Sequence, residues 1–325
     1  MVKKKLALES TEEAKKISSL EERKKRRWAV VIVLLVTVFF SAFFSFFRFL
    51  PSFWQKIMRP QVFELKREQI KERDSSLLNL RRSRLQKKVE DYLFPYEGIY
   101  GLCFYDLQQD EGFALSGERS FPAASLMKLP VAFALYRRAE EGKINLEEKY
   151  SLQEKDKVEG SGVLYLKPAG EKFTYRELVE LMLNKSDTTA QLILAKKIGR
   201  SYIQQTIEEL GMQATDYKKG ETTPIDVAVF FYRLLDPSFI SSSSREEILS
   251  FLTKTIFEEQ IPAGLPQGAT VAHKVGIEKG VLSDAGIISY QGKRFILVIL
   301  SDQTPREEAE KVLPAVTRLI WQEID

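Results

Sequence analysis

The chain reads as an α+β protein, with one antiparallel sheet flanked by helices and with a transmembrane helix and a helical stalk ahead of it. Three observations carry that reading. Two strand-like segments near residue 100 are followed by a block of helix-periodic segments, then by three more strand-like segments and a last helix. Strands drawn from both ends of a domain, with helices between them, assemble as one antiparallel sheet rather than as a βαβ series. Residues 28–47 carry no charge, and residues 48–93 are charge-rich with sparse apolar positions.

At 325 residues and 44% hydrophobic content, the chain has room for one large domain plus appendages. Its net charge of +4 is unevenly spread: +5 in residues 1–27, +6 in residues 48–93 and −7 in residues 94–325. The domain is therefore mildly acidic, which argues against a nucleic-acid surface. Cys103 is the single cysteine and has no intramolecular disulfide partner. It lies in an alternating strand and reads as core packing.

Trp28–Phe47 is 20 residues long, rich in Val, Leu and Phe. A helix of that length spans about 30 Å, the thickness of a bilayer core. Arg26-Arg27 and Arg48 frame it, and no A-x-A-like cleavage site follows. Residues 8–27 hold 7 Lys/Arg against 5 in residues 48–67. The positive-inside rule then places residues 1–27 as a cytoplasmic tail, residues 28–47 as a single span of the cytoplasmic membrane, and the rest outside. Residues 48–93 read as a solvated helical stalk. Its seven-residue steps Leu78, Leu85 and Tyr92 are too few to define a coiled coil, so oligomeric state stays open.

The domain is expected over residues 94–325. Gly98–Leu107 alternates as a half-buried strand, and Gln108–Gly112 turns into a second strand at Phe113–Leu115. A helix is expected to open at Ser125 and run to about Glu141. Thr174-Tyr-Arg-Glu177 is a capping box for a helix that ends near Asn184. Gly199 and Gly211 stop the next two helices. Thr223 caps another, with Pro224 at its first position. Val271–Lys274, Gly286–Tyr290 and Arg294–Leu300 read as strands, and Pro305–Ile324 as the closing helix.

The chemistry centres on Phe121-Pro-Ala-Ala-Ser-Leu-Met-Lys-Leu-Pro130. Ser125 and Lys128 stand one helical turn apart on a shared face. A serine hydroxyl is a poor nucleophile until a base takes its proton, and a neutral lysine one turn away is such a base. Asn184-Lys-Ser-Asp-Thr188 falls between two helix patterns, where a turn would project Ser186 into the open. Ala272-His-Lys-Val-Gly276 sits on a strand, with Lys274 on one face and Gly276 leaving room for a substrate backbone.

Ser-x-x-Lys, Ser-Asp-Thr and Lys-Val-Gly in that order resemble the motifs of the penicillin-recognising serine enzymes, most closely the class A β-lactamase family, over about residues 94–325. Thr222-Thr-Pro224 and Gly280-Val-Leu-Ser-Asp-Ala-Gly286 add to the likeness. The resemblance implies a β-lactamase/DD-peptidase-like fold and an acyl-enzyme on Ser125, formed with a β-lactam or a peptidoglycan-peptide amide and needing no cofactor or metal. It implies that Lys128 is the base, kept partly neutral by burial and by nearby Lys274, and that Ser186 relays the proton to the departing nitrogen. The backbone N–H groups of Ser125 and Ile277 would form the oxyanion hole, Lys274 would attract a substrate carboxylate, Thr188 and Gly276 would border the substrate, and Asp187 would hold the turn.

Three departures from the family pattern follow. Only Gln213–Glu221 join Met212 to Thr222, without the E-x-x-L-N loop that carries the family's deacylating carboxylate. Glu221 is the nearest acid and reads as surface charge. Thr188 stands where the family usually has Asn, and Val275 where it has Thr or Ser. A penicillin sensor or a degenerate binding module is therefore the alternative expectation. His273, the only histidine, reads as a structural strand residue, and Glu159-Gly-Ser-Gly162 as a rim over the site with Tyr165 as a wall.

Overall fold

The structure, a computed structural model, describes residues 77–324, with side chains from Arg84 onward. The basic tail, the expected span 28–47 and the stalk up to residue 76 lie outside the described residues. Among the described residues no helix is long and apolar enough to cross a membrane.

Five antiparallel strands form the central sheet, in the order β2 (Glu111–Leu115), β1 (Ile99–Asp106), β9 (Lys293–Asp302), β8 (Val281–Tyr290) and β7 (Thr270–Glu278). Two short pairs stand apart from it, β3 (Phe121–Pro122) with β6 (Glu221–Thr222) and β4 (Lys149–Ser151) with β5 (Lys172–Thr174). β1 pairs with β9 from Ile99↔Asp302 to Asp106↔Phe295, which joins the two ends of the domain. The period-2 alternation on β1 sends Tyr100, Leu102 and Phe104 to one face. There they meet Ala309, Val312, Leu313 and Val316 of α8 (Arg306–Ile324).

The same core contains Leu85 and Val89 of α1 (Leu77–Leu93), only 4% and 0% exposed. This corrects the boundary expected at residue 94. The last part of the presumed stalk belongs to the body, because α8 and the sheet cover its apolar residues.

On the other side of the sheet, α6 (Pro224–Leu234) packs against β9 and β1. Behind it stand α2 (Lys128–Glu140), α3 (Tyr175–Asn184), α4 (Thr188–Ile198) and α5 (Arg200–Leu210). Every residue of α2 from Lys128 to Tyr136 is buried, as in a helix surrounded by protein. The caps follow local chemistry. The Thr174 side chain accepts from Glu177 N at 3.1 Å, while Glu177 Oε2 accepts from Thr174 N at 2.6 Å. Thr223 Oγ1 accepts from Asp226 N at 3.1 Å, with Pro224 next to it at the start of α6.

Two features differ from expectation. β7 and β8 are longer than their sequence signals and meet at a Lys279-Gly280 turn, with nine residue pairs in register from Thr270↔Ser289 to Glu278↔Val281. Pairing on a ladder extends them through residues that have no apolar alternation of their own. Helix α7 (Ser242–Thr253) starts in a run of serines that carries no apolar period, yet the Ser241 side chain caps it by accepting from Ser244 N.

Candidate active site

The two-residue strand β3 (Phe121–Pro122) pairs with β6 (Glu221–Thr222) and leads into a 3-10 turn, Ala124–Met127, that carries Ser125. The α-helical part begins only at Lys128. Side chains at i and i+3 eclipse on a 3-10 turn, and Lys128 Nζ donates to Ser125 Oγ at 2.7 Å. Ala124, immediately before the serine, has φ +45°. A non-glycine residue in the left-handed region costs ~1–3 kcal/mol and persists only where its surroundings enforce it.

Lys128 is 2% exposed. Burial pushes its amine down to about 8, against an upward pull from the Asp187 carboxylate. Proton loss reverses the hydrogen bond and makes Lys128 the acceptor of the Ser125 proton.

Ser186 lies in the turn between α3 and α4 and also has positive φ, +56°. It is 3% exposed, so the expected projection into the open is corrected. Lys274 Nζ donates to its Oγ at 3.0 Å and to the Val275 carbonyl at 3.0 Å. Burial pushes the Lys274 amine down to about 7; the like charge of Lys128 adds to the fall, and Asp284 opposes it. The like-charge effect expected on Lys128 is thus felt at Lys274.

Asp187, fully buried, organises this corner. Its Oδ1 accepts from Ala190 N at 2.8 Å, which caps α4, and its Oδ2 accepts from Val163 N at 2.6 Å and Leu164 N at 2.8 Å. The rim at residues 159–164 is thereby anchored to the Ser186 turn. Gly162 is needed there, since its φ is +104° and a Cβ would lie 2.2 Å from Asp187 Oδ2. Thr188 N donates to the Ser161 carbonyl at 3.0 Å. Tyr165 sits on the turn Leu164–Leu166 just past these anchors.

β7 is the outer strand of the sheet beside this corner. A Cβ on Gly276 would stand 3.2 Å from the Ala123 carbonyl and 3.4 Å from Leu126 Cγ. The absent side chain therefore makes room for the nucleophile turn itself. Ile277, one residue on, is 38% exposed, and Val275 is buried in the core cluster. Thus Ser125, Lys128, Ser186 and Lys274 come together, with Gly276 against the turn that holds them.

Other residues stand apart. The His273 ring is fully buried and its Nδ1 lies 2.8 Å from Asp284 Oδ1, while Asp284 Oδ2 accepts from Ile261 N at 3.0 Å. This is a structural cross-strand contact. Glu221 is exposed at the end of a segment held from below, where Asp226 Oδ2 accepts from Ala214 N and Thr215 Oγ1 at 2.8 Å each. Sequence reasoning missed Phe257, whose ring centroid is 5.6 Å from Lys274 Nζ. An aromatic residue after a helix end carries no spacing signal that would have found it. It missed Asp284 for the same reason, since only the β7–β8 register brings that carboxylate near Lys274.

The sequence model of the Beta-lactamase enzyme family matches residues 84–324. β-Lactamase VEB-1 of Pseudomonas aeruginosa is 21% identical over 272 residues, covering 75% of this chain and 91% of that protein. The solved structure of PBP-A aligns with a TM-score of 0.70 at 26% identity, covering 74% of this chain and 95% of that one. A PBP-A variant in an acyl-enzyme complex with penicillin G aligns with a TM-score of 0.70 at 25% identity, covering 74% and 96%.

Proposed function

The chain belongs to the β-lactamase enzyme family, and from that premise we propose an active-site-serine hydrolase acylated on Ser125 by β-lactams or cell-wall peptide amides. The observation that carries the proposal is the 2.7 Å hydrogen bond between Lys128 Nζ and Ser125 Oγ inside a buried corner. In its neutral form Lys128 takes the Ser125 proton as Oγ bonds to the carbonyl carbon. The oxyanion that develops is received by the backbone N–H groups of Ser125 and Ile277, aimed at charge absent from the ground state. Collapse breaks the carbonyl–nitrogen bond, and Ser186, bonded to Lys274, relays the proton to the departing nitrogen. A charged Lys274 draws the substrate carboxylate, and the Asp187-anchored rim limits water. The penicillin G acyl-enzyme of the PBP-A variant supports this half of the reaction.

Residues 28–47 tether the domain to the cytoplasmic membrane, with the site outside, on the strength of the uncharged run and its flanking arginines. Intact-mass spectrometry after penicillin addition tests the enzyme reading, with an adduct on Ser125 expected. No adduct with penicillins, cephalosporins or peptidyl substrates sinks it.

A second reading, a penicillin sensor or trap that acylates but barely turns over, is favoured by the Gln213–Glu221 segment. It is short and carries no E-x-x-L-N pattern. It predicts an adduct that persists for hours, and multiple-turnover nitrocefin cleavage that Ser125→Ala abolishes would exclude it.

A further inference from the structure

A groove of about 590 Å³ opens beside the nucleophile turn, with Phe121, Ala124 and Met127 in its wall. Its charged side chains are Arg200, which opens α5, Lys218 and Lys219 of the short segment, Glu221, and Glu278 and Asp302 at the ends of β7 and β9. Lys219 has a partner, Asp216 at 3.8 Å. Among the described residues, Arg200, Lys218, Glu221, Glu278 and Asp302 form no ion pair with each other or with any other group. Apart from Lys219, and with Lys218 acting on Asp216 only at longer range, the groove thus holds side chains of both signs that form no ion pair, next to the reacting serine.

We propose that this groove is a subsite for an acyl side chain that ends in both a free carboxylate and a free ammonium, as in an α-amino acid terminus. Three cationic and three anionic side chains line it, so it offers no net attraction to a ligand of one sign. A group carrying both signs satisfies each set at once, its carboxylate at Arg200 and Lys218 and its ammonium at Glu278 and Asp302. The volume lies within the ~300–1,000 Å³ typical of small-ligand sites. The assignment rests on acylation at Ser125, since the groove selects among acyl donors only if Ser125 reacts with them.

The experiment compares acylation rates of the full-length chain by penicillins that share one nucleus. One carries a phenylacetyl side chain, one an adipyl chain with a carboxylate only, and one an aminoadipyl chain with carboxylate and ammonium. Exposed contacts of this kind are individually weak and screened by salt, so the aminoadipyl probe is expected to react about tenfold faster than either other probe. That preference should fall toward one in 0.5 M salt, in Arg200→Ala/Lys218→Ala, and in Glu278→Gln/Asp302→Asn. Equal rates for the adipyl and aminoadipyl probes, or a preference that both double variants retain, overturn the subsite and leave acylation standing. Absence of label from all three probes overturns acylation at Ser125 and the subsite with it.

Discussion

The corner around Ser125 and the segment Gln213–Glu221 are neighbours built in opposite ways. In the corner, Lys128, Ser186, Asp187 and Lys274 are each at most 3% exposed, and each is hydrogen-bonded: Lys128 to Ser125, Lys274 to Ser186, and Asp187 to Ala190 N. In the segment, Gln213, Lys218, Lys219 and Glu221 are exposed, and the buried anchors lie beneath it: the Asp226 carboxylate and the Thr222 hydroxyl, both bonded to Thr215 Oγ1. Under the proposed function, the difference separates two half-reactions. Forming an acyl-enzyme calls for a desolvated amine against a hydroxyl, which the corner provides. Clearing it calls for a carboxylate that positions water, and the short segment has none in a protected place.

Ser125→Ala gives the sharpest test of the corner. Covalent labelling should fall by about 10³-fold or more, since no other nucleophile replaces the hydroxyl. Label retained by the variant would move the reaction elsewhere. Next in size is Asp187→Ala. Two buried N–H groups and one half-buried one lose their acceptor, which should cost about 3 kcal/mol and lower Tm by roughly 6–12 °C. A change within 1–2 °C would mean that the rim and the α4 cap do not depend on this carboxylate.

The pH profile probes the two amines. Acylation should rise with pH as Lys128 loses its proton near 8, and fall as Lys274 loses its charge near 7. These limbs overlap, so a narrow optimum between them is expected, with apparent values that belong to the pair. Lys274→Arg stays charged at every accessible pH. The alkaline fall should then vanish, and its survival in the variant would remove Lys274 as its cause. The smallest effect is expected from the segment. Glu221→Gln should alter the decay rate of the penicillin adduct less than about twofold, as for an exposed solvated charge. A tenfold slower decay would make Glu221 the missing base and erase the contrast between the two regions.

Much of this was legible in order along the chain. The capping box at Thr174, the Thr223-Pro224 helix start and the three motifs are local signals, because a side chain that bonds to backbone three residues away leaves its mark in sequence. That strands from both ends of the domain share one antiparallel sheet also followed from the element order; which of them are neighbours, β1 beside β9, did not. The boundary at residue 94 failed because the partners that bury Leu85 and Val89 lie on α8, more than 200 residues later. Ser186 was expected in the open because its hydrogen-bond partner, Lys274, lies 88 residues later on β7.

The amino-acid sequence alone determined the α+β class, the order of elements, and a serine and a lysine one turn apart. Those properties depend on spacing and short-range hydrogen bonding. Folding in three dimensions decided the 3-10 geometry of the Ser125 turn, the burial that lowers both amines, and the meeting of Ser186 with Lys274. It also decided the close approach of Gly276 to Ala123 and the groove lined by charges of both signs. Desolvation and long-range contact are set by what the rest of the chain places around a residue, so no local pattern records them.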